Sequence, residues 1–181
     1  MSAKPRTSMT PGWLLDESHH AGRENLDPKH ASRYDAKEDA DAHSEVALLK
    51  DAGLTGESLV VEFGSGTGQF SVEVASACAR VIAVDVSDPM LSQLKAKVAD
   101  LRLSNVEAVR AGFLTYEHTT VPADFIYSRY ALHHLPDFWK ALALSRLRRI
   151  LRPGGVFRLW DVVYNFAPAQ AMEHIEAWCA T

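Results

Sequence analysis

The segment Gly64-Ser65-Gly66-Thr67-Gly68 places glycine at every second position, with Glu62 two residues ahead of it and Asp85 further along the chain. Glycine lets a chain turn tightly and leaves no side chain between backbone and ligand. A loop of this kind, opening into a helix whose first N–H groups lack partners, can receive a flat or charged group against bare backbone. The spacing is G-x-G-x-G, not the G-x-G-x-x-G of a dinucleotide loop. Glu62 sharpens that difference, because a carboxylate beside the loop would repel a pyrophosphate and attract a cation. Asp85 ends the second apolar run, RVIAVD. An acid at that place in a doubly wound sheet accepts hydrogen bonds from both hydroxyls of a ribose, one on each oxygen. The plainer alternatives are a glycine-rich turn without a ligand, and a helix cap or solvated turn at Asp85.

Further residues could move a proton. His133 and His134 follow a strand, and imidazole titrates near neutral pH. The same segment, ALHHLPD, also reads as a turn and cap in which one ring packs inward. Asp161 and Tyr164 end a later strand on the same edge of the sheet. His19, His20 and His30 have no ligand-like spacing, and Cys78 and Cys179 are too few for a metal site or a disulfide framework, so no metal is expected and the thiols read as reduced. Lys140, Arg146, Arg148, Arg149 and Arg152 form a basic stretch with no interleaved aromatics. It reads as a solvated helix face, not as a nucleic-acid surface.

Strands alternating with helices must position these groups. Residues 1–31 are polar and broken by proline and glycine, which predicts a flexible arm ordered only where it docks. Residues 32–52 read as a helix stopped by Gly53. From Ser58 onward the strands SLVVEF (58–63), RVIAVD (80–85), NVEAV (105–109), ADFIYS (123–128) and VFRLWDVV (156–163) alternate with helices. These helices cover 68–79, 88–101 (capped by Asp88), 136–151 (ended by Pro153-Gly154-Gly155) and about 168–179. The pattern predicts an α/β, Rossmann-like, doubly wound and mostly parallel sheet. Ligands of such sheets bind beyond the carboxyl ends of the strands.

The chain has 181 residues, a net charge of −4 and 47% hydrophobic residues. These values suit one globular domain and lack the basic footprint of a nucleic-acid binder. No apolar run is long enough to span a membrane and the first residues lack a signal-peptide core, so a cytoplasmic location is expected.

Four blocks, VVEFGSGTG (60–68), VIAVDVSDPML (81–91), DFIYSRYALHHL (124–135) and LRPGGVF (151–157), together resemble the class I methyltransferases that use S-adenosylmethionine (SAM). They are most similar to the small-molecule branch, including the quinone-biosynthesis type, and the similarity runs from about residue 58 to 161. The resemblance implies SAM as cofactor, in-line methyl transfer and a small-molecule methyl acceptor. It places Glu62, Gly64, Ser65, Gly66 and Thr67 around the methionine and ribose, and Asp85 on the ribose hydroxyls. Val86 and Met90 then pack on the adenine, and Ser128 and Arg129 face the methyl group or the methionine. Relatives often carry an aspartate after the third strand for the adenine amino group. Here the segment is Val109-Arg110-Ala111-Gly112-Phe113, so backbone contacts from Gly112 and Phe113 are expected, with Phe113 either against the base or in the core. Tyr34 is expected to fold over the cofactor.

The family sheet normally has seven strands, and only five can be read here. The domain at 32–181 is therefore expected to be C-terminally incomplete. Alternatively, a partner copy, as in a homodimer, covers the open sheet edge, or the last helix folds across it. Competing functions are a non-catalytic SAM-binding or regulatory protein, favoured by the absent strands, and an NAD-dependent oxidoreductase, disfavoured by the glycine spacing and Glu62.

Overall fold

Leu59–Phe63 (β1) is buried at every position, and Arg80–Asp85 (β2) is buried over its middle four. Apolar runs hidden on both faces belong inside a parallel sheet with helices on each side. The structure is a computed structural model that describes residues 11–37 and 41–180. In it these runs sit within a five-stranded sheet completed by Val106–Arg110 (β3), Ala123–Arg129 (β4) and Leu151–Trp160 (β5). The order is β3-β2-β1-β4-β5 and every pairing is parallel. The chain builds outward from β1 in one direction and then, from β4, in the other. The strand order therefore reverses between β1 and β4, where such sheets open a crevice at their carboxyl ends.

Three short helices, Glu17–His20 (α1), Pro28–Ala31 (α2) and Tyr34–Lys37 (α3), lead to Ala42–Asp51 (α4). After β1 come Gln69–Val74 (α5) and, after β2, Asp88–Asp100 (α6). Asp137–Ile150 (α7) precedes β5 and Ala171–Cys179 (α8) ends the described chain. Side chains alternate across a strand, so β1 feeds two cores. Val61 and Phe63 join Ile82, Val84 and Ile126 against Ala143, Leu147 and Ile150 of α7. Val60 joins Val81, Phe125 and Tyr127 against α4 and α5 through Val46, Leu49, Phe70 and Val74. Glu62 shares the face of Val60, which buries it beneath α5.

Several local expectations are corrected. The span read as one helix from Ser32 holds two, α3 and α4, and Asp41 at the start of α4 has left-handed backbone (φ 44°) that no continuous helix could carry. The cap of α6 is Ser87, whose hydroxyl accepts the Met90 N–H at 3.2 Å, and Asp88 is the first helical residue. β5 begins before the Pro153-Gly154-Gly155 turn. Its pairing with β4 steps from Ala123–Leu151 to Phe125–Val156, so the turn bulges out of the strand. The last helix does not cover the sheet edge, since α8 buries none of its residues. The segment expected as an arm is, from residue 11, laid along the carboxyl edge of the sheet. Glu17 and Ala31 there are buried, and the Ser87 hydroxyl donates to the Asn25 carbonyl at 2.5 Å.

Candidate functional site

The corner between β1 and α5 is built from backbone. The Gly64 and Ser65 amides both donate to the Val84 carbonyl, at 2.9 and 3.1 Å, which ties the loop to β2. Gly64 has φ 72°, and a Cβ there would stand 2.2 Å from that of Ala131, so the chain leaving β4 rests directly on it. Gly66 has φ 52°, and a Cβ there would meet nothing within 4 Å. Its bare side faces open space, as a loop that lays a ligand on backbone requires. The Ser65 hydroxyl is buried and has no hydrogen-bond partner among the described residues.

Two carboxylates flank this corner. Asp85 accepts the Gly66 amide on Oδ2 and the Ser87 amide on Oδ1, both at 2.8 Å. Each oxygen keeps a lone pair for a ligand hydroxyl. Burial raises the Asp85 carboxyl above the ordinary range, against the pull of those amides. Glu62 is buried and takes a hydrogen bond from the Ser71 hydroxyl. Burial pushes its carboxyl up to about 8, the Ser71 bond opposes this, and the Asp85 charge adds to it. A cation placed beside Glu62 would restore its ionised form.

Two clefts meet here. One of about 680 Å³ runs from the tip of β3 to that of β4, and one of about 490 Å³ lies over Glu62. They share Tyr34, Gly64, Gly66, Arg129 and Tyr130, so they form one continuous site. Asp85, Val86, Met90, Gly112, Phe113 and His134 line the first; Glu62, Ser65 and Thr67 line the second. Phe113 also stacks on Phe63 with centroids 5.1 Å apart, so it is both core and wall. A nucleoside with a cationic tail matches this arrangement: hydroxyls at Asp85, an apolar wall of Val86, Met90 and Phe113 for a base, and Glu62 for the charge.

Three expected residues line neither cleft. Ser128 is fully buried and its hydroxyl has no hydrogen-bond partner among the described residues. Tyr127 and Arg129, on either side of it, line the second cleft instead, because neighbouring side chains on a strand point to opposite faces. His133 and Asp161 are paired with each other: His133 Nδ1 lies 2.6 Å from Asp161 Oδ1, and the His133 amide donates to Asp161 Oδ2 at 3.0 Å. His134 is the imidazole that reaches the cleft. Burial, and then the neighbouring His133, lower its pKa, so the ring is neutral at pH 7.

Four lining or bracing groups carried no clear signal in the sequence or only a weak one. Glu17 and Asn25 reach the first cleft from the N-terminal segment. Asp35 of α3 accepts hydrogen bonds from Thr67 and, at 3.1 Å, Gln69, and pairs with Lys97. Burial alone would raise its pKa, but Lys97 and Thr67 hold it below the usual range. Tyr130, next after β4, has left-handed backbone (φ 49°), a strained conformation for a bulky residue. The Arg129 guanidinium lies 5.0 Å from its ring and 4.9 Å from that of Trp160. Neither Tyr130 nor the polar N-terminal groups were among the residues expected at the site. Arg146, expected on a solvated face, instead donates to the carbonyls of Phe113 (3.3 Å) and Tyr116 (2.8 Å), bracing the chain after β3.

Comparison with known proteins agrees with this geometry. The methyltransferase domain family matches residues 60–155. An uncharacterized methyltransferase of Oceanobacillus iheyensis is 28% identical over 123 residues, 68% of this chain and 55% of that protein. One from Geobacillus sp. is 33% identical over 118 residues, 65% of this chain and 54% of that protein. The chain thus spans about half the length of these relatives. Among solved structures, a complex of DhpI with SAM and HEP superposes with a TM-score of 0.62 at 23% identity, covering 93% of this chain and 73% of DhpI, a likeness of fold.

Proposed function

The chain belongs to the methyltransferase domain family, and on that premise we propose that it is a SAM-dependent methyltransferase acting on a small-molecule acceptor. The observation that carries this reading is the bare face of Gly66 between two carboxylates, half-buried Asp85 and buried Glu62. When bound, SAM supplies a methyl group activated by its sulfonium. Asp85 accepts from the ribose hydroxyls, while Gly66 and Ser87 hold its carboxylate in place. Glu62 balances the positive charge of the methionine end. Tyr34 and Arg129, which border both clefts, set the width of the passage between them.

Holding two reactants in line can supply as much as about 7–11 kcal/mol, so alignment carries most of such a reaction. His134 takes a proton from an acceptor that must lose one, because it is neutral and faces the cleft. His133 acts beside it as a positioning group, with ring centroids 4.1 Å apart and its Nδ1 held by Asp161. The helices α1 to α3 over the carboxyl edge favour a small acceptor over a macromolecule. No helix among the described residues is long and apolar enough to cross a membrane. The free thiols Cys78 and Cys179 support a cytoplasmic setting.

Incubation of the protein with methyl-labelled SAM and a cell extract tests the reading. Label should appear in the low-molecular-weight fraction, and Asp85→Ala should weaken SAM binding by roughly 1–3 kcal/mol, the cost of unpaired polar groups. Label confined to precipitable protein or nucleic acid would exclude the small acceptor. An unchanged affinity would remove Asp85 from the ribose. Binding with no labelled product in any fraction would point to a regulatory role.

A further inference from the structure

The end of the first cleft nearest β3 holds a carboxylate that the reaction above does not use. Glu17, in α1, is 7% exposed and borders the cleft. Its Oε2 accepts the Leu114 amide at 2.9 Å. A Cβ added to Gly112 would stand 2.3 to 2.4 Å from the carboxyl carbon and both oxygens of Glu17. Residue 112 must therefore lack a side chain for this carboxylate to lie where it does. The chain leaving β3 offers no acid of its own from Ala111 to Tyr116, and Glu17 arrives from the opposite end of the sequence.

The strand order decides which part of a nucleoside meets Glu17. β2 lies between β3 and β1, so a ligand whose ribose is held at Asp85 extends one way over β3 and the other over β1 and β4. The second direction holds Glu62 and Arg129, suited to a charged tail. The first holds Val86, Met90 and Phe113, suited to the faces of a base, with Glu17 at its edge. Adenine carries an exocyclic amino group, and a donor stripped of water in such a cleft needs an acceptor. An ionised carboxylate has two oxygens and about four acceptor sites. The Leu114 amide and, at 3.5 Å, the Thr115 hydroxyl both fall on Oε2, which leaves Oε1 for a ligand. Burial pushes the Glu17 carboxyl up, and a ligand donor would offset that.

We propose that Glu17 accepts a hydrogen bond from the amino group of adenine and makes the site selective for adenine over purines that lack this donor. The proposal rests on the reading above only in that an adenine nucleoside occupies the cleft.

The test uses the full chain and two ligands, S-adenosylhomocysteine and its 6-deamino analogue with purine in place of adenine, titrated by calorimetry. The wild type should prefer the adenine compound by about tenfold, the weight of one such hydrogen bond. Glu17→Gln retains a carbonyl for Leu114 but presents an amide donor to the base, and should bring the two affinities within about twofold. Gly112→Ala leaves Glu17 intact while displacing its carboxylate, and should have the same effect. Equal binding of the two ligands by the wild type, or a preference that survives both substitutions, would overturn the proposal. Tighter binding by Glu17→Gln would do so too, by showing that the carboxylate only fills the space. A wild type that binds neither ligand would overturn the cofactor reading as well.

Discussion

The two ends of the site are made differently. At the β2–β3 end, acidic side chains are clamped by backbone amides: Asp85 by Gly66 and Ser87, Glu17 by Leu114. Of the strands beneath, β2 is buried over its middle four residues and β3 is a partly exposed edge strand. At the β4–β5 end Asp161 is held by the His133 and Val162 amides, but the groups around it, the His133 imidazole and the Arg129 guanidinium against the rings of Tyr130 and Trp160, are held by side chains. There the outer strand, β5, is likewise a partly buried edge. A group held by backbone has few rotamers left to lose and is set in place before a ligand arrives. A group held by other side chains can rearrange around different acceptors. On the function proposed above, the first end would take the constant cofactor and the second the acceptor.

The largest effect should come where the two ends touch. Gly64→Val puts methyl groups into Ala131 and a branched residue at positive φ, so stability should fall by about 2–4 kcal/mol in urea unfolding. Binding of S-adenosylhomocysteine should weaken more than tenfold with it. Stability near that of the wild type would mean the ends are not locked together at this contact.

Glu62 sharpens the comparison through pH. With its carboxyl pushed up to about 8, the free protein holds a proton on Glu62 at neutral pH. A bound cation favours the ionised form, so binding releases that proton. Affinity for SAM should therefore rise between pH 6 and 8 by up to about tenfold per pH unit, and Glu62→Gln should flatten the profile. The sign for folding is the reverse. A raised carboxyl binds more protons in the folded chain than in the unfolded one, so its contribution to stability is full at acid pH and is lost as pH rises through about 8. A wild-type binding profile that stays level over this range would remove Glu62 from the cation.

The smallest effect belongs to the variable end. His133→Ala breaks the pair with Asp161 and should cost about 1 kcal/mol of stability, while affinity for S-adenosylhomocysteine changes less than twofold. A large loss of affinity would show that the two ends are not separate.

The legible parts of the molecule are those whose signal is local. The burial of β1 and β2 follows from apolar runs, interrupted in β1 only by Glu62, and the bare face of Gly66 from alternate glycines. Asp85 follows from its place at a strand end. Errors arose where two neighbours could do the same work, as with Ser87 and Asp88 at the start of α6. They also arose where the phase of alternation at a strand end chooses the face, as with Ser128. The pairing of His133 with Asp161 joins the turn after β4 to the end of β5, and no spacing announces which of two adjacent histidines will turn toward the cleft.

The sequence by itself determined the α/β order, the glycine corner and the acid that ends β2, because each depends on residues close together along the chain. Tertiary structure alone decided that Glu17, in a polar stretch without periodicity, would be buried against Gly112. Its position is set by the docking of α1 across the carboxyl edge, and the room it occupies exists because a residue far along the chain has no side chain.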